Sequence, residues 1–166
     1  MTETAPQTAD HVAPHEQIEL LSFTVGGQDF AIDIMLVREI RNWSAPTPLP
    51  KTPDFVRGVI NLRGTVLPIL NLAKRLGLEE TRDETRSVFV VLDEGGRTFG
   101  ITVDTVSDIL TVPRSALQEP PSVMGGIETS CVESLILDEE RMIRVLAGER
   151  IAPRIERAAE GASDAA

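Results

Sequence analysis

GGQDFAIDIMLVREI, residues 26–40, and GGRTFGITVDTVSDI, residues 95–109, align without a gap at an offset of 95 − 26 = 69. Gly26/Gly95, Gly27/Gly96, Phe30/Phe99, Ile32/Ile101, Val37/Val106 and Ile40/Ile109 are identical, and Ile34/Val103 and Glu39/Asp108 are conservative pairs. A strand-like run precedes each copy. In Glu19–Val25 (ELLSFTV) apolar residues at 21, 23 and 25 alternate with polar ones, a period of two that turns one face inward. The glycine pair then turns the chain, and Phe30–Ile34 resumes the alternation, so the unit reads as a hairpin. Ser87–Leu92, the turn at Asp93–Arg97 and Phe99–Val103 repeat it.

Further along, VRGVINLRGTVLPIL (56–70) lies on VESLILDEERMIRVL (132–146) at an offset of 132 − 56 = 76, with Val56/Val132, Ile60/Ile136 and Leu70/Leu146 identical. Glycine turns and alternating apolar residues make many hairpins look alike. Two blocks repeated in the same order argue instead for a duplicated architecture. Two copies of about five short strands predict a mostly β chain of two small five-stranded barrels; a solenoid needs at least three units. The first barrel is expected over about residues 17–80 and the second over about 85–150, joined by the polar link Thr81–Thr85.

The joints carry their own signals. Ala45–Pro53 contains Pro46, Pro48, Pro50 and Pro53 and predicts a stiff extended connector. Asn71–Gly77 predicts a helical turn closed by a glycine cap, and Pro153 opens a short C-terminal helix within residues 151–166 that Gly161 can end. Residues 1–16 are rich in Thr, Ala, Pro and acid, bury too little to offset ordering entropy, and are expected to be disordered.

Composition narrows the function. Hydrophobic residues make up 42% of the 166, but aromatics only 4% with no Tyr, so the core rests on Val, Ile and Leu. The net charge is −10, with 26 acids against 16 Lys and Arg and no basic block. That disfavours nucleic-acid backbones and direct adsorption to anionic lipid. An RNA-binding barrel would also need exposed stacking aromatics. A lone cysteine, Cys131, excludes an internal disulfide and fits a reducing compartment. The N-terminus has no signal-peptide pattern and no apolar run approaches about 20 residues, so no membrane insertion and a cytoplasmic location are expected.

No set of groups suits acid–base or nucleophilic catalysis. His11 and His15 fall in the tail with Pro14 between them and no third ligand nearby, so neither a metal nor a cofactor is expected. Cys131 has no histidine partner; neither GxxxxGK[ST] nor GxGxxG occurs, and Gly125-Gly126 lies in a loop. Asp93-Glu94 and Asp138–Glu140 sit at turns, where solvated acids are usual. One segment stands out: RGVINLRGTVLPILNL, residues 57–72, a tight hairpin with Arg63-Gly64 at its tip. Gly64 takes a positive φ readily. The same conformation at Arg63 costs on the order of 1 kcal/mol, which a longer turn avoids. Pro68 has no N–H, which predicts an edge strand or a bulge there.

RGVINLRGTVLPILNL resembles the signature hairpin of the CheW family, the bacterial chemotaxis coupling proteins. So do FTVGGQDFAIDIMLVREI before it and FGITVDTVSDIL after it, and the resemblance runs from about Gln17 to Ile151. It implies two SH3-like five-stranded barrels that scaffold without catalysis. It also implies coupling of the cytoplasmic tip of methyl-accepting chemoreceptors to the regulatory domain of a CheA-type histidine kinase, in membrane-associated arrays. The family's receptor groove lies between the barrels and carries over to Ile34, Val37, Glu39, Arg63, Val88, Val106 and Ile109; Gly58 and Gly100 match positions where bulk disturbs kinase docking. Asn71 stands where Asp is frequent, Asp138–Arg141 has no turn glycine, and Ala147 stands where Asp or Asn is common. The other reading open at this point is a free-standing regulatory domain that binds a small ligand between its barrels.

Overall fold

Period-two alternation becomes strands wherever the glycine turns allow it. The computed structural model describes residues 16–79, 83–121 and 129–152. The strands are β1 (Gln17–Val25), β2 (Gln28–Asp33), β3 (Val37–Asn42), β4 (Val56–Leu62), β5 (Thr65–Asn71), β6 (Val88–Glu94), β7 (Arg97–Val103), β8 (Thr105–Pro113), β9 (Val132–Asp138) and β10 (Arg141–Leu146). Helix α1 is Leu72–Leu76 and α2 is Gly148–Ile151; 3-10 turns occupy Ile34–Leu36, Glu84–Arg86, Arg114–Ala116 and Thr129–Cys131. Asn71 caps α1 by accepting from the Lys74 N–H, and Gly77 closes it in the left-handed conformation. The expected N-terminal disorder up to residue 15, part of the Thr81–Thr85 link, the Gly125-Gly126 loop and the Pro153 helix lie outside the described residues.

The duplication holds element by element. Moving β2 by 69 gives 97–102, inside β7, and moving β4 by 76 gives 132–138, the span of β9. The sheets, however, do not follow the two halves of the sequence. One sheet runs β8-β1-β2-β10-β9 and the other β3-β6-β7-β5-β4. Each copy contributes its first hairpin to one sheet and its last three strands to the other. The boundary expected near residues 80–85 therefore does not separate the sheets. The physical reason lies after β2. The Asp33 carboxylate accepts from the Met35 N–H at 2.9 Å, starting a 3-10 turn that sends the chain away from β2 to pair as β3 with β6. Ile34 thus opens that turn; it does not continue the strand alternation.

The free edge of β2 takes β10 in parallel, Arg144 opposite Phe30, and β7 takes β5 in parallel, Ile69 opposite Gly100. The outer edges of β4 and β9 take one isolated bridge each. Thr47 exchanges two backbone hydrogen bonds with Val59, at 2.8 and 2.9 Å. Gln118 exchanges two with Leu135, at 2.8 and 2.7 Å. The proline-rich connector is therefore pinned at Thr47 to the β4 edge.

Pro68 differs from expectation. Its strand β5 is interior, between β7 and β4. Pro68 faces Val59, whose N–H and C=O both point to Thr47, and β5 pairs with β7 only from Ile69 onward. The missing N–H thus falls where no ladder bond is made.

Central strands bury both faces. Leu21, Phe23 and Val25 of β1 join Val90 and Leu92 of β6 in the core between the sheets. Ile18 and Leu20 pack inside the first sheet, and Phe89 and Val91 inside the second. Two-sided burial explains why these strands read as near-continuous apolar runs. Each such side chain contributes roughly 1.5–3 kcal/mol relative to exposure.

Candidate functional site

Edge strands β3 and β8 decide what the core between the sheets shows to solvent. Their pairings carry matching bulges. Val37 faces Leu92 and Glu39 faces Val91, so Arg38 is the extra residue; in β8, Val106 faces Phe23 and Ile109 faces Leu21. Directly opposed residues share a face. Val37 and Ile40 therefore stand with Leu92 and Val90, and Val106 and Ile109 with Phe23 and Leu21, all four partners belonging to the inter-sheet core. Ile34, Val37, Val88 and Val106 are half-buried against that core. Ile109 and Ile40 lie farther out, 58% and 47% exposed. The structure thus brings the sequence-identified apolar residues onto one core, and it adds Ile40. The signal for Ile40 was its identity with Ile109 in the repeat.

The charged residues stand apart from that seam. The bulge puts Glu39 and Arg41 on the face of β3 shared with Val91 and Phe89. There Arg63 donates to Glu39, and Arg41 reaches the same carboxylate at 3.4 Å. The hydrogen bond from Arg63 is the main cause that holds the Glu39 carboxyl below its ordinary value. Arg63 reaches it from a two-residue turn in which both residues are left-handed, φ 52° at Arg63 and 86° at Gly64; the longer turn is not used. The Asn61 side chain accepts from the Gly64 N–H at 2.9 Å and fixes the tip. In the second copy the tip residue is Glu139, also left-handed at φ 56°.

Gly58 and Gly100 flank Ile69 of β5 from its two sides, one on β4 and one on β7. A Cβ on Gly58 would come within 2.2 Å of the Thr47 carbonyl oxygen, and its φ is 144°. A Cβ on Gly100 would meet Ile69 Cδ1 at 2.7 Å. Gly58 is thereby required where it stands, whereas at Gly100 only the end of the Ile69 side chain would have to shift.

Concavities are modest. One lined by Val25, Trp43, Arg57, Asn71 and Asp104 has a volume of about 20 Å³, room for roughly one water. A wider cleft of about 340 Å³, open to solvent, runs along Ile18, Ile34, Met35 and Arg114. Trp43 packs edge-on against Phe89, ring centroids 5.4 Å apart, and so covers the interior of the second sheet. Cys131 is fully buried. Among the described residues no helix is long and apolar enough to cross a membrane.

The CheW-like domain family model matches residues 19–156. A "Chemotaxis protein CheW" of Rhizobium meliloti (strain 1021) is 43% identical, over 85% of this chain and 91% of the relative. A protein of the same name from Klebsiella aerogenes is 35% identical, over 80% of each chain. Among solved structures, the scaffolding protein TtCheW from Thermoanaerobacter tengcongensis superposes with a TM-score of 0.73 at 28% identity, covering 78% of this chain and 88% of that one.

Proposed function

The chain belongs to the CheW family of non-catalytic chemotaxis scaffold proteins, and from that premise we propose that it couples methyl-accepting chemoreceptors to a CheA-type histidine kinase by binding both. The receptor's cytoplasmic helical tip would lie along the apolar seam of Ile34, Val37, Val88, Val106 and Ile109, a helix-in-groove contact. Glu39 and Arg63 would set register and reject mismatched partners more than add affinity. The kinase's regulatory domain would dock on the sheet that holds Gly58 and Gly100, where added bulk displaces Thr47 or Ile69. The chain would act in the cytoplasm, recruited to membrane-associated receptor arrays.

The observation that supports this reading most is the seam itself. Val37 and Val106 are half-buried against the core, and Ile109 on the same face is 58% exposed, so apolar area stands ready for a partner. Small-ligand binding has less support, since the concavity lined by Val25, Trp43, Arg57, Asn71 and Asp104 holds about one water and the wider cleft along Ile18 and Ile34 lies open to solvent.

Binding of the purified chain to a soluble chemoreceptor fragment and to a CheA regulatory domain, measured separately by calorimetry, tests the proposal. Arg63→Glu is expected to weaken receptor binding more than about tenfold and to leave kinase-domain binding nearly unchanged; Glu139 already occupies the equivalent tip conformation, so the turn is kept, and loss of the exposed ion pair to Glu39 lowers the melting temperature by only about a few degrees. Equal receptor binding by wild type and Arg63→Glu would contradict the role given to the hairpin tip.

A further inference from the structure

In the bulge between β1 and β8, two residues stand against one. The register steps from Phe23 opposite Val106 to Leu21 opposite Ile109, so Ser107 and Asp108 share the place of Ser22. A bulge takes main-chain groups out of the ladder, and they need other partners. Here the Ser22 side chain supplies them. Its hydroxyl donates to the Asp108 carbonyl at 3.0 Å and accepts from the Asp108 N–H at 3.1 Å, and Ser22 is buried. One hydroxyl thus satisfies both main-chain groups of Asp108.

The internal duplication supplies a comparison. Moving Ser22 by 69 gives 22 + 69 = 91, a valine. At that place the matching bulge of β3 keeps a main-chain pair, Glu39 opposite Val91. A bulge of this kind therefore does not need a hydroxyl; in the β1–β8 copy the hydroxyl replaces the main-chain pair. Other groups hold β8 on either side of it. The Asp104 N–H donates to the Thr24 carbonyl at 2.8 Å and the Asp104 carboxylate accepts from the Gly26 N–H at 2.9 Å. Leu110 and Val112 pack against the interior of the first sheet. We propose that Ser22 is a positioning residue for receptor binding: its hydroxyl locks the β8 bulge and so holds Val106 and Ile109 preformed on one face. This deepens the proposed receptor binding and rests on it. Ile109 is 58% exposed, so its own packing holds it little. Backbone order beneath it is order that binding need not supply.

Ser22→Ala in the full chain tests this, against Ile143→Val as a control. Ile143 is buried in the interior of the first sheet, on β10, and its truncation is expected to lower the melting temperature by a few degrees, about as much as Ser22→Ala does. In Ser22→Ala the Asp108 amide should exchange at least roughly tenfold faster than in wild type, and binding to a soluble chemoreceptor fragment should weaken roughly three- to tenfold, with binding to a CheA regulatory domain within about twofold of wild type. Ile143→Val should bind the receptor fragment like wild type. Unchanged Asp108 exchange in Ser22→Ala, wild-type receptor binding by Ser22→Ala, or an equal loss of binding in Ile143→Val overturns the inference and leaves receptor binding standing. Failure of the wild-type chain to bind the fragment overturns the receptor reading itself, with the Asp108 exchange rates still reporting on the bulge. Thermal melts establish that the variants fold; if Ser22→Ala does not, Ser22→Cys, whose thiol is a weak donor and acceptor, carries the same comparison.

Discussion

At the scale of single residues, two positions give sharp expectations. Gly58 combines a φ of 144° with a Cβ position 2.2 Å from the Thr47 oxygen. Gly58→Ala should cost about 2–4 kcal/mol in urea unfolding, since both backbone strain and a main-chain collision must be relieved. A cost below about 1 kcal/mol would show that the connector yields easily. Glu133 behaves oppositely to Glu39. Desolvation first, then the neighbouring Glu149 carboxylate, with smaller contributions from Asp33 and Glu94, raises its carboxyl above the ordinary value of 4.5. A carboxyl raised in the folded state binds its proton more tightly there. Stability is then full below pH 4.5 and falls as pH rises through the folded-state value. Glu133→Gln should therefore melt about 1–2 °C higher than wild type at pH 7, with the advantage gone near pH 4. Arg63 was legible from the sequence as a tip residue. Its bond to Glu39, 24 residues earlier, was not, because nothing in local spacing brings β3 beside the β4–β5 tip.

At the scale of elements, the glycine turns, the alternation of β1 and β2, the Asn71–Gly77 helix and its cap all follow from local chemistry and could be read directly. The bulges in β3 and β8 could not. They insert one residue and reverse which side chains share a face, so alternation alone misplaces Glu39 relative to Val37. Pro68 was misplaced for a related reason. A proline at a sequence-predicted strand argues for an edge only when its neighbours on both sides demand hydrogen bonds, and Thr47 takes those of Val59. Amide hydrogen exchange checks the closing bridge: Val59 and Thr47 should exchange slowly in wild type and at least roughly tenfold faster in Gly58→Ala, while Val90 in the central strand β6 changes little.

At the scale of the molecule, the sequence revealed the duplication but not the exchange of strands between its copies. Periodicity tells which residues face inward, not which strand lies alongside. Because β1 and β2 need β8, β9 and β10 to complete their sheet, neither half is expected to fold by itself. Fragments 16–79 and 83–152, made separately, should lack cooperative melts and regain β-structure when mixed; a cooperative melt from either alone would contradict the interleaving. The same interleaving makes the proposed receptor seam and the proposed kinase-docking sheet parts of one body, which is what a coupling protein needs if two weak contacts are to reinforce each other. The most direct measurement of that coupling is ATP-dependent autophosphorylation of a CheA-type kinase on chemoreceptor-containing vesicles, with the chain titrated in. Kinase activity that rises with added chain and saturates near stoichiometric amounts, with Arg63→Glu inactive, is the predicted result. Activity indifferent to the chain, in the presence of receptors and kinase that both bind it, would contradict the account.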